Sequence, residues 1–140
     1  MKIIDAYNTY NEFGKFLGMH FTVLKTGQTL YKLEIKKHHL ATPKAAHGGV
    51  IGALVDASLG TAALSAVAHD HKVVSTIEYK LNFLKPVLEG DELEAIGTVV
   101  SQGKRILVVQ CEVFCVNRDN EMVATALGTF NAYDAEKAGL

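Results

Sequence analysis

The sequence predicts an α+β domain in which one long apolar helix lies against a curved antiparallel sheet. Three observations carry this. Residues 48–68 are an apolar run of helical length. Segments on both sides of it alternate apolar and polar residues, as half-buried strands do. The later segments are joined by turns too short for a crossover, so they pair antiparallel. A helix layer on one sheet buries the apolar faces of both. A length of 140 residues sets the expectation at a single domain, 1–140.

The elements follow in order. Ile3, Tyr7, Tyr10, Phe13 and Leu17 recur at helical spacing, so a short helix is expected over 3–17, stopped by Gly18. Met19 to Lys25 reads as a strand. Thr26-Gly27-Gln28 turns the chain, and Thr29 to Lys37 alternates with Tyr31, Leu33 and Ile35 on one face, which makes a hairpin. His38 to Ala46 has no period and contains Pro43, so it reads as a loop. The helix occupies about 49–68, roughly 30 Å at the usual rise. Strand alternation resumes over 73–84, with Ile77, Tyr79, Leu81 and Phe83 on one face and Pro86 closing it. Glu89-Gly90-Asp91, Ser101-Gln102-Gly103-Lys104 and Asn117-Arg118-Asp119-Asn120 separate three further strands: Glu92 to Val100, Arg105 to Val116 and Met122 to Tyr133.

Composition narrows the function. A net charge of −1 gives no electrostatic reason to expect a nucleic acid. The apolar run is long enough to span a membrane, but Asp56 near its middle would be costly in lipid, and a helix apolar all round is more simply a buried one. No membrane partner is expected. Cys111 and Cys115 share one face of a strand roughly 13 Å apart, too far for a bridge. With no second cysteine pair they make no zinc site either, so no metal and a reduced, cytoplasmic setting are expected.

The chemistry concentrates between His47 and Ala66, where His47 and Asp56 are the only ionisable side chains. A charge buried without a partner is expensive, so Asp56 is paired, beside a water-filled cleft, or chemically useful. The helix start reads Ala46-His47-Gly48-Gly49, with no capping oxygen. Its amides then remain free to hold an anion or a developing oxyanion, unless the glycines merely pack against the sheet. Asp56 lies eight residues beyond Gly48, roughly 12 Å along the axis. The two cannot easily serve one carbonyl from one chain. Antiparallel helices of a two-fold dimer would bring Asp56 of one protomer to Gly48 of the other.

His-Gly-Gly followed by Asp nine residues after the His, on a long apolar helix, resembles the hotdog-fold thioesterases of the PaaI-like (phenylacetate-pathway) acyl-CoA branch. The run Thr76-Ile77-Glu78-Tyr79-Lys80-Leu81-Asn82-Phe83-Leu84-Lys85-Pro86 resembles the strand after the helix there. Gly90-Asp91, Gly103-Lys104-Arg105 and Ala124-Thr125-Ala126-Leu127-Gly128-Thr129-Phe130 resemble the closing strands. The likeness runs from about Phe13 to Phe130. It implies a hotdog fold and an acyl-CoA thioesterase that releases free acid and CoA. Coenzyme A then enters only as part of the substrate, with no cofactor. It also implies a homodimer at least, and a homotetramer by analogy. On this resemblance Gly48 N–H polarises the thioester carbonyl and Asp56 is general base or nucleophile. His47 sits beside the carbonyl and shapes the turn, Gly49 belongs to the same binding turn, and Thr76 places the water or the base. Lys85, Lys104 and Arg105 are candidates for the nucleotide phosphates. One departure stands out: relatives often carry Asn or Gln where this chain has Leu40 and Ala41. His38, His39 and Thr42 are candidate substitutes. A non-catalytic acyl-CoA binding or sensing protein is the alternative; a hotdog dehydratase fits the His-Gly-Gly to Asp pattern less well.

Overall fold

The structure is a computed structural model and describes residues 2–140. Its order is α1 (Ile3–Tyr10), α2 (Glu12–Leu17), β1 (His20–Lys25), β2 (Gln28–Glu34), α3 (Gly48–Val67), β3 (Lys72–Phe83), β4 (Glu92–Gln102), β5 (Ile106–Cys115) and β6 (Glu121–Asp134). The strands form one antiparallel sheet in the order β1-β2-β4-β5-β6-β3, wrapped around α3. This is the helix-on-sheet arrangement the pattern predicted, and the hotdog fold the resemblance implied.

The helix expected over 3–17 is two helices. Asn11 leaves helical geometry, and its Oδ1 accepts from Gly14 N at 3.0 Å as the cap of α2. Its Nδ2 donates to the Tyr7 hydroxyl at 3.1 Å. An Asn side chain that satisfies backbone groups locally competes with helix continuation. The expected apolar face breaks with it: Ile3, Ala6 and Leu17 are buried, whereas Tyr10 and Phe13 face solvent. Gly18, left-handed at φ 82°, ends α2.

The core of α3 is apolar on every side because strands cover most of its circumference. Leu54, Val55, Leu59, Ala62 and Ala63 have no exposed area. The helix and the short turn after it are long and apolar enough to cross a membrane, but two thirds of the most apolar stretch is buried inside the protein. Polar side chains fix the helix to the sheet. Thr29 and Thr61 hydroxyls meet at 2.9 Å, and Ser58 Oγ donates to Ala95 O at 3.3 Å. At Gly97 the sheet comes so close that a Cβ there would collide with the Ser58 carbonyl oxygen. Cys111 and Cys115 lie on one face of β5 as expected, free and buried in the core. Burial pushes the Cys111 thiol up to about 12, so it packs as a small apolar group.

β3 departs from simple alternation. Its pairing with β6 runs Thr76 to Phe130 and then Glu78 to Thr129, leaving Ile77 in a bulge. The bulge exchanges the inward face. Val74 and Thr76 face α3 before it, Tyr79 and Leu81 after it. Ile77, expected on one face with Tyr79, Leu81 and Phe83, is instead separated from Tyr79 and Leu81 by the bulge and exposed. The stretch 38–46 is irregular as expected, apart from a 3₁₀ turn at 37–39 and two isolated bridges, Leu40 to Ala46 and Ala45 to Leu88.

Candidate active site

Asp56 is half-buried on α3, and Thr76 Oγ1 donates to its Oδ1 at 2.7 Å. The bulge at Ile77 is what turns Thr76 toward the helix. Both residues line a cavity of about 310 Å³ whose other walls include Tyr7, Gly60, Leu64, Phe130, Tyr133 and Leu140. The carboxylate therefore has one hydroxyl donor and an apolar chamber beside it. Burial raises the pKa of Tyr7 and of Tyr79, and the negative charge of Asp56 adds to both shifts. Both phenols stay protonated around the carboxylate. Tyr79 donates to Gly52 O at 3.4 Å, one turn before Asp56.

The helix start is capped, contrary to the expectation of bare amides. His47 is the N-cap, and its Nδ1 accepts from Gly49 N at 2.7 Å. The capping preference is for side-chain oxygens; here a ring nitrogen does the same work. This bond places the proton of the neutral imidazole on Nε2. A Cβ on Gly49 would press on His47 Nδ1 at 2.9 Å, so the second glycine is required by the cap itself. Gly49 N–H is consumed. Gly48 N–H donates to no acceptor among the described residues, and Gly48 is exposed. It lines a second cavity, of about 290 Å³, with Ala46, Ile51, Phe83, Lys85 and Val87. Phe83 lies against Gly48: a Cβ there would meet the ring at 3.4 Å.

A single chain thus holds the two halves of the expected site in different cavities, two helical turns apart. Lys85 is on the Gly48 side, where its Nζ pairs with Glu121. Lys104 and Arg105 lie exposed in the turn between β4 and β5, and the Arg105 carbonyl accepts from Ala132 N at 2.7 Å. Ala132 pairs with Val74, so that turn belongs to the Asp56 end of the sheet.

The residues offered in place of a missing amide do other work. His39 is buried, its Nδ1 accepting from Lys36 N and its Nε2 donating to Leu17 O, both at 2.9 Å. Burial lowers its pKa below the usual 6.5. Thr42 Oγ1 accepts from Ala45 N at 2.9 Å within its own turn. His38 is exposed, and its ring lies against that of His39 with centroids 4.0 Å apart and planes tilted by 45°. None of the three lines the Asp56 cavity. Sequence reasoning also passed over Tyr7. The helical spacing put it on one face of a short helix, but nothing local showed that α1 would fold over Asp56.

Residues 44–121 match the thioesterase superfamily. The chain is 33% identical over 122 residues to a Saccharolobus solfataricus protein named "Putative esterase SSO1253", covering 87% of this chain and 78% of that one. Among solved structures it superimposes on the PaaI protein of the E. coli phenylacetic acid degradation operon with a TM-score of 0.84. That match has 22% identity and covers 93% of this chain and 90% of that one. A Streptococcus mutans protein, smu.793, solved bound to acetyl CoA, matches with a TM-score of 0.76 and 25% identity, covering 85% and 91%. The family match spans more than half the chain and includes both the His47-Gly48-Gly49 turn and Asp56: this protein is a member of the thioesterase superfamily.

Proposed function

We propose that the protein hydrolyses acyl-CoA thioesters to a free acid and CoA, at sites completed by a two-fold pairing of protomers. The observation that carries this is a carboxylate held by Thr76 beside an apolar cavity, on the same helix as an amide that has no partner among the described residues. The helix keeps them roughly 12 Å apart in one chain. In an antiparallel pair, Asp56 of one protomer faces Gly48 of the other, twice by symmetry. The exposed edge strand β3, with Ile77 and Phe83 uncovered, supports such a pairing, because long apolar edges are normally covered.

In this reading Gly48 N–H, at the positive end of α3, receives the thioester oxygen as it gains charge. Asp56 takes the proton from a water that Thr76 helps to place, and the oxygen of that water adds to the carbonyl carbon. Collapse of the tetrahedral adduct breaks the C–S bond, and the thiolate of CoA leaves and is protonated. Direct attack by the Asp56 carboxylate is the variant route, through an anhydride that water then opens. His47 fixes the turn that presents Gly48 and stands beside the carbonyl. Gly49 contributes through the cap, not through its own amide. CoA is the leaving group, so no further cofactor is needed. Lys85 on one side, and Lys104 with Arg105 on the other, are the cations offered to its phosphates. The bound acetyl CoA in smu.793 supports the CoA part of this reading. The expected assembly is a homotetramer of two such pairs in the cytoplasm.

Thiol release is measured over a panel from acetyl-CoA to phenylacetyl-CoA and long-chain acyl-CoAs. Asp56→Asn and Asp56→Ala lose at least about a hundredfold in kcat, the scale of a lost general base. Full activity in those variants removes Asp56 from the reaction. Gly48→Pro, which deletes the amide proton, is inactive alone. Mixed with Asp56→Ala under subunit exchange, it restores about a quarter of the sites if each site is shared across the pair. No restoration places both groups in one chain. The second reading, an acyl-CoA sensor without catalysis, draws on the absence of an amide at Leu40 and Ala41. Tight binding without thiol release would assign it.

A further inference from the structure

We propose that Arg118, locked to Asp91, is a positioning residue for the Gly48 amide. The proposal rests on the reading of Gly48 as the oxyanion donor. Asp91 is buried at 4% exposure. Its Oδ1 accepts from Arg118 Nε at 3.0 Å, and its Oδ2 accepts from Arg118 Nη2 and from the Leu88 amide, both at 2.7 Å. Arg118 Nη2 also donates to Pro86 O at 2.8 Å. One guanidinium, from the turn between β5 and β6, therefore fastens both the middle and the end of the irregular stretch 84–91.

That stretch is the template on which the approach to α3 is laid. Ala46 N donates to Val87 O at 2.8 Å, Glu89 N donates to Lys44 O at 3.2 Å, and Ala45 bridges Leu88. Ala46 is two residues ahead of Gly48, and His47 between them is itself tied, its amide donating to His39 O at 2.8 Å. The path from Arg118 to Gly48 thus runs through Pro86, Val87 and Leu88 to Ala46, with a hydrogen bond at every break in the chain. The planar fork matters. Nε and Nη2 engage both carboxylate oxygens at once while Nη2 reaches Pro86, which a lysine's point charge cannot reproduce. An oxyanion donor is effective only when held in place beforehand. A clamp that fixes its approach acts on turnover without touching substrate.

The test follows the amide directly. In protein labelled with ¹⁵N-glycine, the Gly48 signal is assigned by its loss in Gly48→Ala. Its order parameter is expected to be that of rigid backbone in the wild type, and to fall toward about 0.6 or below in Arg118→Gln. Gly60, in the middle of α3, stays rigid. Arg118→Lys is expected in between, and serves alone if Arg118→Gln does not fold. With acetyl-CoA and phenylacetyl-CoA, at a temperature where each variant is fully folded, kcat falls about ten- to a hundredfold while KM stays within about twofold. A purely structural clamp would lower the melting temperature and leave the Gly48 order parameter and kcat at wild-type values; that result overturns the proposal. Equal loosening at Gly48 and Gly60 overturns it too. If the wild type releases no thiol from any acyl-CoA, the thioesterase reading fails, and the amide measurement still decides whether Arg118 positions Gly48.

Discussion

His39 shows how a single side chain can set the acid limit of the fold. Neutral, it accepts at Nδ1 from Lys36 and donates at Nε2 to Leu17; protonated, it loses the first bond and becomes a buried charge. Its pKa is held below 6.5 in the folded chain, so between the two values the unfolded chain binds more protons. The stability it contributes is fully present above about 6.5 and is lost as pH falls below that, toward the folded value. Melting temperatures measured from pH 8 to pH 5 should fall more steeply in the wild type than in His39→Gln. Parallel curves would show that His39 is not the titrating group. The same residue marks a limit of sequence reading. A His in a loop with no period looks like a solvated one, and only the fold shows that Leu17 and Lys36 converge on it. His47 is a similar case: the cap was sought among oxygens, and the ring nitrogen was overlooked.

Among elements, α3 and β4 approach each other closely at Gly97. Gly97 admits the Ser58 carbonyl where any Cβ would collide with backbone. Neither the helix nor the strand can yield locally, since Ser58 ties α3 to β4 through Ala95 O, and Thr29 on the neighbouring β2 holds the Ser58 carbonyl itself. Gly97→Ala is expected to cost at least about 1–3 kcal/mol, the scale of overpacking. Chemical denaturation at constant m-value would measure it; an unchanged midpoint would show that the layers can part. The long helix, the hairpin and the four later strands were legible because apolar period and turn residues agree over whole segments. Two irregularities were not. Asn11 occupies a position that helical spacing spans, and only its contacts with Gly14 and Tyr7 show that it interrupts α1 and α2. The bulge at Ile77 was hidden because Val74, Thr76, Tyr79 and Leu81 suit a sheet in either parity. That bulge decides whether Thr76 meets Asp56 at all. The pairing of Asp91 with Arg118 spans 27 positions, beyond the reach of any local pattern.

For the whole molecule, β3 is the surface on which the proposed assembly depends. It closes one side of the sheet and leaves Ile77 54% and Phe83 58% exposed. Ile77→Lys adds a charge to this edge at a residue whose side chain leaves the core, so the protomer should still fold. Light scattering after size exclusion is expected to show an assembly of at most half the wild-type mass, and thiol release should fall together with the fraction that keeps the wild-type mass. An Ile77→Lys variant that keeps both the wild-type assembly and full thiol release would place the pairing surface elsewhere. The separation of Gly48 and Asp56 along one continuous helix has a further consequence for how such chains can diverge. One residue inserted between them would rotate the carboxylate by about 100° about the axis while advancing it only about 1.5 Å. Replacement of side chains along this interval can be tolerated gradually, but any change in its length would swing the acid out of register. Descent with insertions and deletions should therefore reshape the loops freely and leave this stretch of eight steps intact.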